Sequence, residues 1–164
     1  MNRSHAFAPF ASAGTRVLVL GSLPGRASLG AGQYYAHPRN QFWPLIGEVI
    51  SQPALPGRPY GDRLAALAEA GIGLWDVYAS AFRPGSLDSA IRDGEAAALA
   101  DLAASLPDLR AVAFNGKAAS RTGRAILEGT SLPLVDLPSS SPAHAALSLA
   151  DKQAAWLVLQ RFLR

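Results

Sequence analysis

A repeated local pattern restricts this chain more than any other feature: a short, unbroken apolar run, then glycine or proline, then a polar loop. RVLVLG spans Arg16 to Gly21, RAVAFNG ends at Gly116, and LPLVDLP ends at Pro138. Apolar residues at successive positions, several of them β-branched, predict strands buried on both faces. IGLWDVY, from Ile72, predicts a further strand or extended piece. Helix-length segments lie between these runs, so the strands are expected to be parallel and covered on both faces, an α/β fold. In such folds ligands gather outside the carboxyl ends of the strands. The loops after VLVLG, AVAFN and LVDLP should therefore converge on one edge.

The intervening segments read as helices. NQFWPLIGEVISQ places Phe42, Leu45, Ile46, Val49 and Ile50 on one face, with Asn40 as a candidate N-cap and Pro44 tolerated in the first turn. DRLAALAEAG is a second helix, closed by Gly71. RPGSLDSAIRD reads as a loop entering a short helical turn, and GEAAALADLAASL as a helix stopped by Pro107. KAASRTGRAIL and an amphipathic SLADKQAAWLVLQRFL complete the set.

At 164 residues the chain is expected to be one domain over residues 1–164, with residues 1–14 as a loosely ordered N-terminal arm. It holds no cysteine, which excludes disulfides and thiolate chemistry and fits a reducing, cytoplasmic compartment. No apolar run reaches bilayer-spanning length, and the first residues lack a continuous apolar signal, so neither a membrane nor secretion is expected. The formal charge is +3. From Met1 to Tyr60 there are five arginines (Arg3, Arg16, Arg26, Arg39, Arg58) against Glu48 alone. That imbalance suits a phosphate-binding face or arginines scattered on a solvated surface, and charge does not separate the two.

The loop after VLVLG is too long for a plain connector. GSLPGRASLGAGQYYAHPRNQFW runs from Gly21 to Trp43 and is rich in groups that hydrogen-bond or stack. With the other two loops it gathers Ser22, Ser139, Ser140, Ser141, Tyr34, Tyr35, Asn40, Asn115, His37, His144, Arg39 and Lys117. His5, His37 and His144 have no acidic partner at ligand spacing, so a metal site is not expected. GSLPGRAS lacks the Gly-Lys-Ser/Thr ending of a phosphate loop. A Ser22–His144–Asp76 triad would lack the usual nucleophile elbow. What remains fits a cleft that grips a phosphate backbone and stacks one extruded base.

These three stretches, GSLPGRASLGAGQYYAHPRNQFW, FNGK and LPSSSPAHA, resemble the signature segments of the hypoxanthine-DNA glycosylases, a branch of the uracil-DNA glycosylase superfamily. The resemblance covers nearly the whole chain in order and spacing. It implies a three-layer α/β/α sandwich around a central four-stranded parallel sheet. It also implies monofunctional removal of a deaminated base, hypoxanthine and also uracil, from DNA. Leu23 stands where mismatch-specific relatives carry a catalytic asparagine in a G-x-N-P-G pattern, and the hypoxanthine branch is similar in lacking it. There the asparagine of the H-P-R-N segment, here Asn40, takes the catalytic part. Its carbonyl oxygen would lie near the charge developing on the sugar, with a water oriented for attack.

By the same resemblance Tyr35 stacks on the flipped base, Asn115 reads its edge, and Ser22 and Leu23 complete the base pocket. Ser139, Ser140 and Ser141 would pinch the backbone, Pro142, Ala143 and His144 would enter the space the base leaves, and Arg39 and Lys117 would contact phosphate. Each has a plainer reading: a helix cap for Asn40, loop packing for Tyr35, a turn for Asn115, a surface position for His144. Asn115 offers donor and acceptor alike and so does not choose between hypoxanthine and uracil. Asp76 and Asp88 are the acids to watch, while Phe42 and Trp43 are expected in the core. The expected partner is DNA, bound by a monomer without cofactor or metal. The rival readings are a mismatch-specific uracil glycosylase, a non-catalytic DNA-binding module, and a small-molecule hydrolase on the same scaffold.

Overall fold

The computed structural model describes residues 4–82, 92–144 and 146–164. In chain order its strands are β1 (Ser4–His5), β2 (Val17–Gly21), β3 (Ile72–Asp76), β4 (Tyr78–Phe82), β5 (Arg92–Ala96), β6 (Ala111–Asn115) and β7 (Leu134–Leu137). Its α-helices are α1 (Arg26–Ala31), α2 (Phe42–Val49), α3 (Tyr60–Ala70), α4 (Leu99–Ser105), α5 (Lys117–Ile126) and α6 (Leu149–Trp156). The central sheet is parallel and four-stranded, in the order β3-β2-β6-β7.

Alternation along the strands divides the core in two. Val17, Val19, Ile72, Leu74 and Ala113 pack against Phe42, Leu45, Ile46, Leu67, Trp156 and Leu159 on one face. Leu18, Leu20, Val112 and Phe114 meet Leu99, Ala119 and Leu127 on the other. Both faces are covered, which is why the inner strands β2 and β6 are apolar until their last residues, and the three-layer α/β/α arrangement follows. The chain leaves β2 toward β3 in one direction and β6 toward β7 in the other. Right-handed crossovers then put α2 and α3 on one face and α5 on the opposite one. The reversal opens a crevice between the carboxyl ends of β2 and β6, the place where open α/β sheets bind ligands.

Several expectations need correction. Residues 4–14 are not a loose arm over their described length. Ser4 and His5 pair with β4, Phe10 exchanges backbone hydrogen bonds with Leu74, and Trp75 Nε1 donates to the Phe7 carbonyl at 2.8 Å. The segment from Gly94 does not begin as a helix. Arg92–Ala96 pairs antiparallel with β4, and the helix starts only at Leu99. Pairing with the preceding strand overrides the helical preference of the alanine-rich run. Thus β1, β4 and β5 form a second, three-stranded sheet. The closing helix divides into α6 and a 3₁₀ segment, Leu157–Phe162. The loop read over RPGSLDSAIRD, with Asp88, falls mostly outside the described residues. As expected, Gly71 ends α3 in the left-handed conformation at φ 91°, and Phe42 and Trp43 are buried.

Candidate active site

Asp76, Gly21 and Asn115 are the last residues of β3, β2 and β6. By alternation with Leu74, Val19 and Ala113, all three face the layer built by α2 and α6. Beyond them the core gives way to a cavity of about 520 Å³, walled by the loop after β2, by Tyr34, Tyr35 and Asn40, and by residues 140–144. Asp76 and Asn115 are 4% and 7% exposed. Gly21 lies level with Asp76 in the sheet register. A Cβ on Gly21 would stand 2.8 Å from Asp76 Oδ1 and 3.2 Å from the Tyr35 hydroxyl. Only glycine leaves room for a carboxylate and a phenol to converge there.

One hydrogen-bonded chain crosses the cavity wall. Asn115 Nδ2 donates to Ser140 Oγ at 2.8 Å, and Ser140 Oγ donates to Asn40 Oδ1 at 2.8 Å. Asn40 Oδ1 also accepts from the backbone N–H of Phe42, the first residue of α2, at 2.9 Å. The Ser140 backbone N–H closes back onto Asn115 Oδ1 at 2.9 Å, and the Gln41 N–H donates to the Ser140 carbonyl at 2.9 Å. A backbone N–H can only donate, so these partners fix both amides: Oδ1 accepts, Nδ2 donates. The N-cap position of α2 is Gln41 and not Asn40, one residue later than the sequence suggests, so Asn40 meets the helix from outside while it lines the cavity wall. Its carbonyl oxygen takes two protein donors, which leaves the Nδ2 hydrogens as the group Asn40 can offer the cavity. Asn115 keeps one Nδ2 hydrogen and one Oδ1 lone pair beyond its clasp on Ser140.

Tyr35 is half-buried, and one ring face lies on Phe42, with centroids 3.9 Å apart and planes 12° from parallel. Any contact from the cavity must meet its other face or its edge. Its backbone sits at φ 55°, unusual for a bulky residue and worth on the order of 1 kcal/mol of strain that the surrounding packing must offset. Tyr34 donates its hydroxyl to the Ala8 carbonyl at 3.0 Å, and the Tyr34 N–H donates to the Tyr60 hydroxyl at 2.9 Å. Burial first, and the Asp76 charge second, push the Tyr34 phenol far up, so it stays protonated.

The serine loop is held by its own hydroxyls. Ser139 Oγ accepts from the Ser141 N–H at 3.1 Å, and Ser141 Oγ accepts from the Ala143 N–H at 3.2 Å. Trp156 Nε1 anchors the loop's start by donating to the Pro138 carbonyl at 2.9 Å. Beneath the loop Lys152, 1% exposed, donates to Gln41 Oε1 and to the His144 carbonyl, both at 2.8 Å. Burial lowers its pKa.

Of the residues read from sequence, Ser22, Leu23, Tyr35, Asn40, Asn115, Ser140, Ser141, Pro142, Ala143 and His144 line the cavity. Ser139, Arg39 and Lys117 do not. Arg39 and Lys117 are exposed, Lys117 as the first residue of α5. Asp76 was noted as an acid, but its place in the wall was not foreseen. The available signal was that it ends IGLW as Asn115 ends AVAF. Sequence reasoning also missed α1, and Ser28 within it, whose Oγ accepts from the Ala36 N–H at 3.1 Å and ties back the long loop. Among the described residues no group of three His, Asp or Glu side chains could hold a metal ion. Among them, too, no helix is long and apolar enough to cross a membrane.

Comparison with known proteins places this geometry in context. The family model described as the uracil DNA glycosylase superfamily matches residues 8–160. A protein of Methanosarcina barkeri (strain Fusaro / DSM 804) named hypoxanthine DNA glycosylase is 38% identical over 154 residues, covering 94% of this chain and 96% of the relative. A Methanosarcina acetivorans protein of the same name is 38% identical over 142 residues, covering 87% and 88%. A solution NMR structure from Methanosarcina acetivorans, of a protein named as a candidate uracil DNA glycosylase, superposes with a TM-score of 0.87. It shares 35% identity over 99% of each chain.

Proposed function

The chain belongs to the uracil DNA glycosylase superfamily, and from that premise we propose that its cavity receives one deaminated base extruded from DNA, with Asn40 serving the cleavage of the bond to the sugar. The protein is a DNA glycosylase that acts on deaminated bases. Hypoxanthine is the base we assign, because both relatives at 38% identity carry that activity in their names and align over most of this chain. The observation that carries the site assignment is the hydrogen-bonded chain from Asn115 through Ser140 to Asn40 along the wall of the cavity.

The chemistry follows from what these groups can do. The extruded base lies against the open side of Tyr35, whose other face is braced by Phe42. The N-glycosidic bond breaks with its electron pair going to the base, which leaves a cationic, oxocarbenium-like sugar. An amide is neither acid nor base at neutral pH, so Asn40 acts by position. Its Nδ2 hydrogens hold the attacking water, while the polarised Oδ1, fixed by Ser140 and Phe42, adds negative potential near the sugar. Water adds to the anomeric carbon and releases a proton, which by way of solvent neutralises the departed base anion, giving the free base and an abasic site. Lys117, the lysine nearest the loops in sequence, starts α5 outside the cavity wall, and no other lysine is placed there to form a Schiff base. The products are those of a monofunctional enzyme.

The exposed Arg39 and Lys117 and the self-held turn at 139–144 contact the DNA backbone, with Pro142, Ala143 and His144 filling the vacated base position. In this reading the enzyme works as a cytoplasmic monomer and needs neither metal nor cofactor; Asp76, His37 and His144 reach the cavity but do not gather into a ligand cluster among the described residues. A panel of duplexes with one deoxyinosine, deoxyuridine, thymidine mismatch or no lesion tests the assignment. Release of hypoxanthine above the undamaged control is expected. Release of uracil alone would move the enzyme to the mismatch-type activity. Release of nothing, with DNA bound normally, would leave a binding module.

A further inference from the structure

We infer that Lys152 is a positioning residue of this enzyme, its amine tying the end of the serine loop to the segment that carries Asn40. The inference rests on the glycosylase reading above, in which Lys152 has no part. Its ground is a circuit of hydrogen bonds behind the cavity wall. Lys152 Nζ donates to the His144 carbonyl and to Gln41 Oε1, both at 2.8 Å. The Gln41 backbone N–H donates to the Ser140 carbonyl at 2.9 Å, and the His144 N–H to the Ser141 carbonyl at 3.0 Å. The circuit closes through Ser140, Gln41, Lys152 and His144. Trp156, one helical turn beyond Lys152 on α6, holds the Pro138 carbonyl at the other end of the same loop. One helix therefore grips both ends of the loop, and Lys152 carries that grip across to the neighbour of Asn40.

Packing alone does not select a lysine here. Lys152 is buried, and neither of its acceptors carries a charge. Taking an ammonium out of water on those terms is costly, and a methionine would fill much of the same space without that cost. What lysine adds is several N–H donors on one atom, able to hold acceptors from two separate segments at once. Ser140 aims the Asn40 carbonyl oxygen from one side. The next residue, Gln41, is held through its backbone by Ser140 and through its side chain by Lys152. When Pro142, Ala143 and His144 meet the duplex, their displacement is resisted at the His144 carbonyl and referred to Gln41. The loop and the Asn40 segment then engage DNA in one fixed relation, and a positioned amide is sensitive to small losses of such a relation. Lys152 is not among the residues that line the cavity, so it acts through Asn40 and touches neither base nor sugar.

The test measures single-turnover base release from a deoxyinosine duplex over a range of enzyme concentrations. Wild type, Lys152→Met, Asn40→Ala and the double variant are compared, with circular dichroism on each. Lys152→Met keeps most of the stem and removes the donors. It is expected to lower the saturated rate by roughly tenfold or more, while the enzyme concentration giving half that rate stays within about threefold. In the Asn40→Ala background the same change is expected to cost less than about threefold, the non-additivity of a residue that acts through another. Gln41→Met cuts the link from its other end and is expected to repeat both results should Lys152→Met fail to fold. An unchanged saturated rate, a loss confined to affinity, or equal losses with and without Asn40 would overturn the role of Lys152 while leaving the enzyme a glycosylase. A wild type that releases no base from any lesion would overturn both readings together.

Discussion

The Ser140 hydroxyl donates to the Asn40 carbonyl oxygen at 2.8 Å, joining residues one hundred positions apart in the chain. Ser140 is itself 1% exposed and is gripped by both ends of the Asn115 amide. The orientation of Asn40 is thus set by the serine loop, and the loop by the end of β6. Ser140→Ala removes the link, takes the acceptor from Asn115 Nδ2 and leaves Asn40 Oδ1 with the Phe42 N–H alone. It is expected to lower stability by about 1–3 kcal/mol and the single-turnover rate by roughly 10- to 100-fold. Thermal melting and base release on deoxyinosine DNA check both. Unchanged release would detach Asn40's role from its orientation.

Gly21→Ala tests the convergence at the end of β2. The added methyl would meet Asp76 Oδ1 and the Tyr35 hydroxyl inside ordinary contact distance, so one or both must move. Base release is expected to fall by about tenfold or more, since small misplacements of positioned groups are felt strongly in rate. DNA affinity measured by anisotropy should hold, because phosphate contacts lie elsewhere.

Tyr35 separates stacking from hydroxyl chemistry. Tyr35→Phe keeps the ring on Phe42 and is expected to stay within about threefold of wild type, whereas Tyr35→Ala loses on the order of 100-fold, the scale of base–aromatic stacking. Similar losses in both variants would assign the work to the hydroxyl instead.

Lys152 gives a pH-dependent stability with a defined sign. Burial lowers its pKa below the 10.5 of an exposed lysine. Between those two values the unfolded chain binds more protons than the folded one, so this residue's contribution rises with pH across that window. Below the window the charged form carries a constant penalty. The melting temperature of wild type minus that of Lys152→Met is therefore expected to increase as pH climbs toward about 10.5. A difference that stays flat or falls would contradict the assignment.

The sheet was legible because burial on both faces writes itself as unbroken runs such as VLVL and AVAF, each closed where the chain turns. The strand ends then placed Asn115 and the three loops on one edge without further information. The family resemblance added roles for Asn40 and Tyr35 that no spacing rule supplies. What stayed hidden depends on non-local partners. Arg92–Ala96 reads as the approach to a helix until Tyr78–Phe82 is known to lie beside it. Asp76 reads as one acid among twelve until Gly21 is seen to clear the space over which it leans. Lys152 sits in a segment patterned like any amphipathic helix, and only the fold brings its amine two acceptors, the His144 carbonyl of the loop above it and the Gln41 side chain before α2. The amide orientation of Asn40, with its carbonyl oxygen already engaged, also lay beyond sequence, since it is decided by Ser140 and the Phe42 N–H.

The most direct measurement is single-turnover release of hypoxanthine from a deoxyinosine duplex by wild type and Asn40→Ala, at enzyme concentrations that saturate the DNA for each. The account predicts release by the wild type and a loss of roughly 100- to 1,000-fold in Asn40→Ala, the scale of removing a positioned electrostatic group, with DNA affinity preserved. Equal release by the two proteins would contradict it.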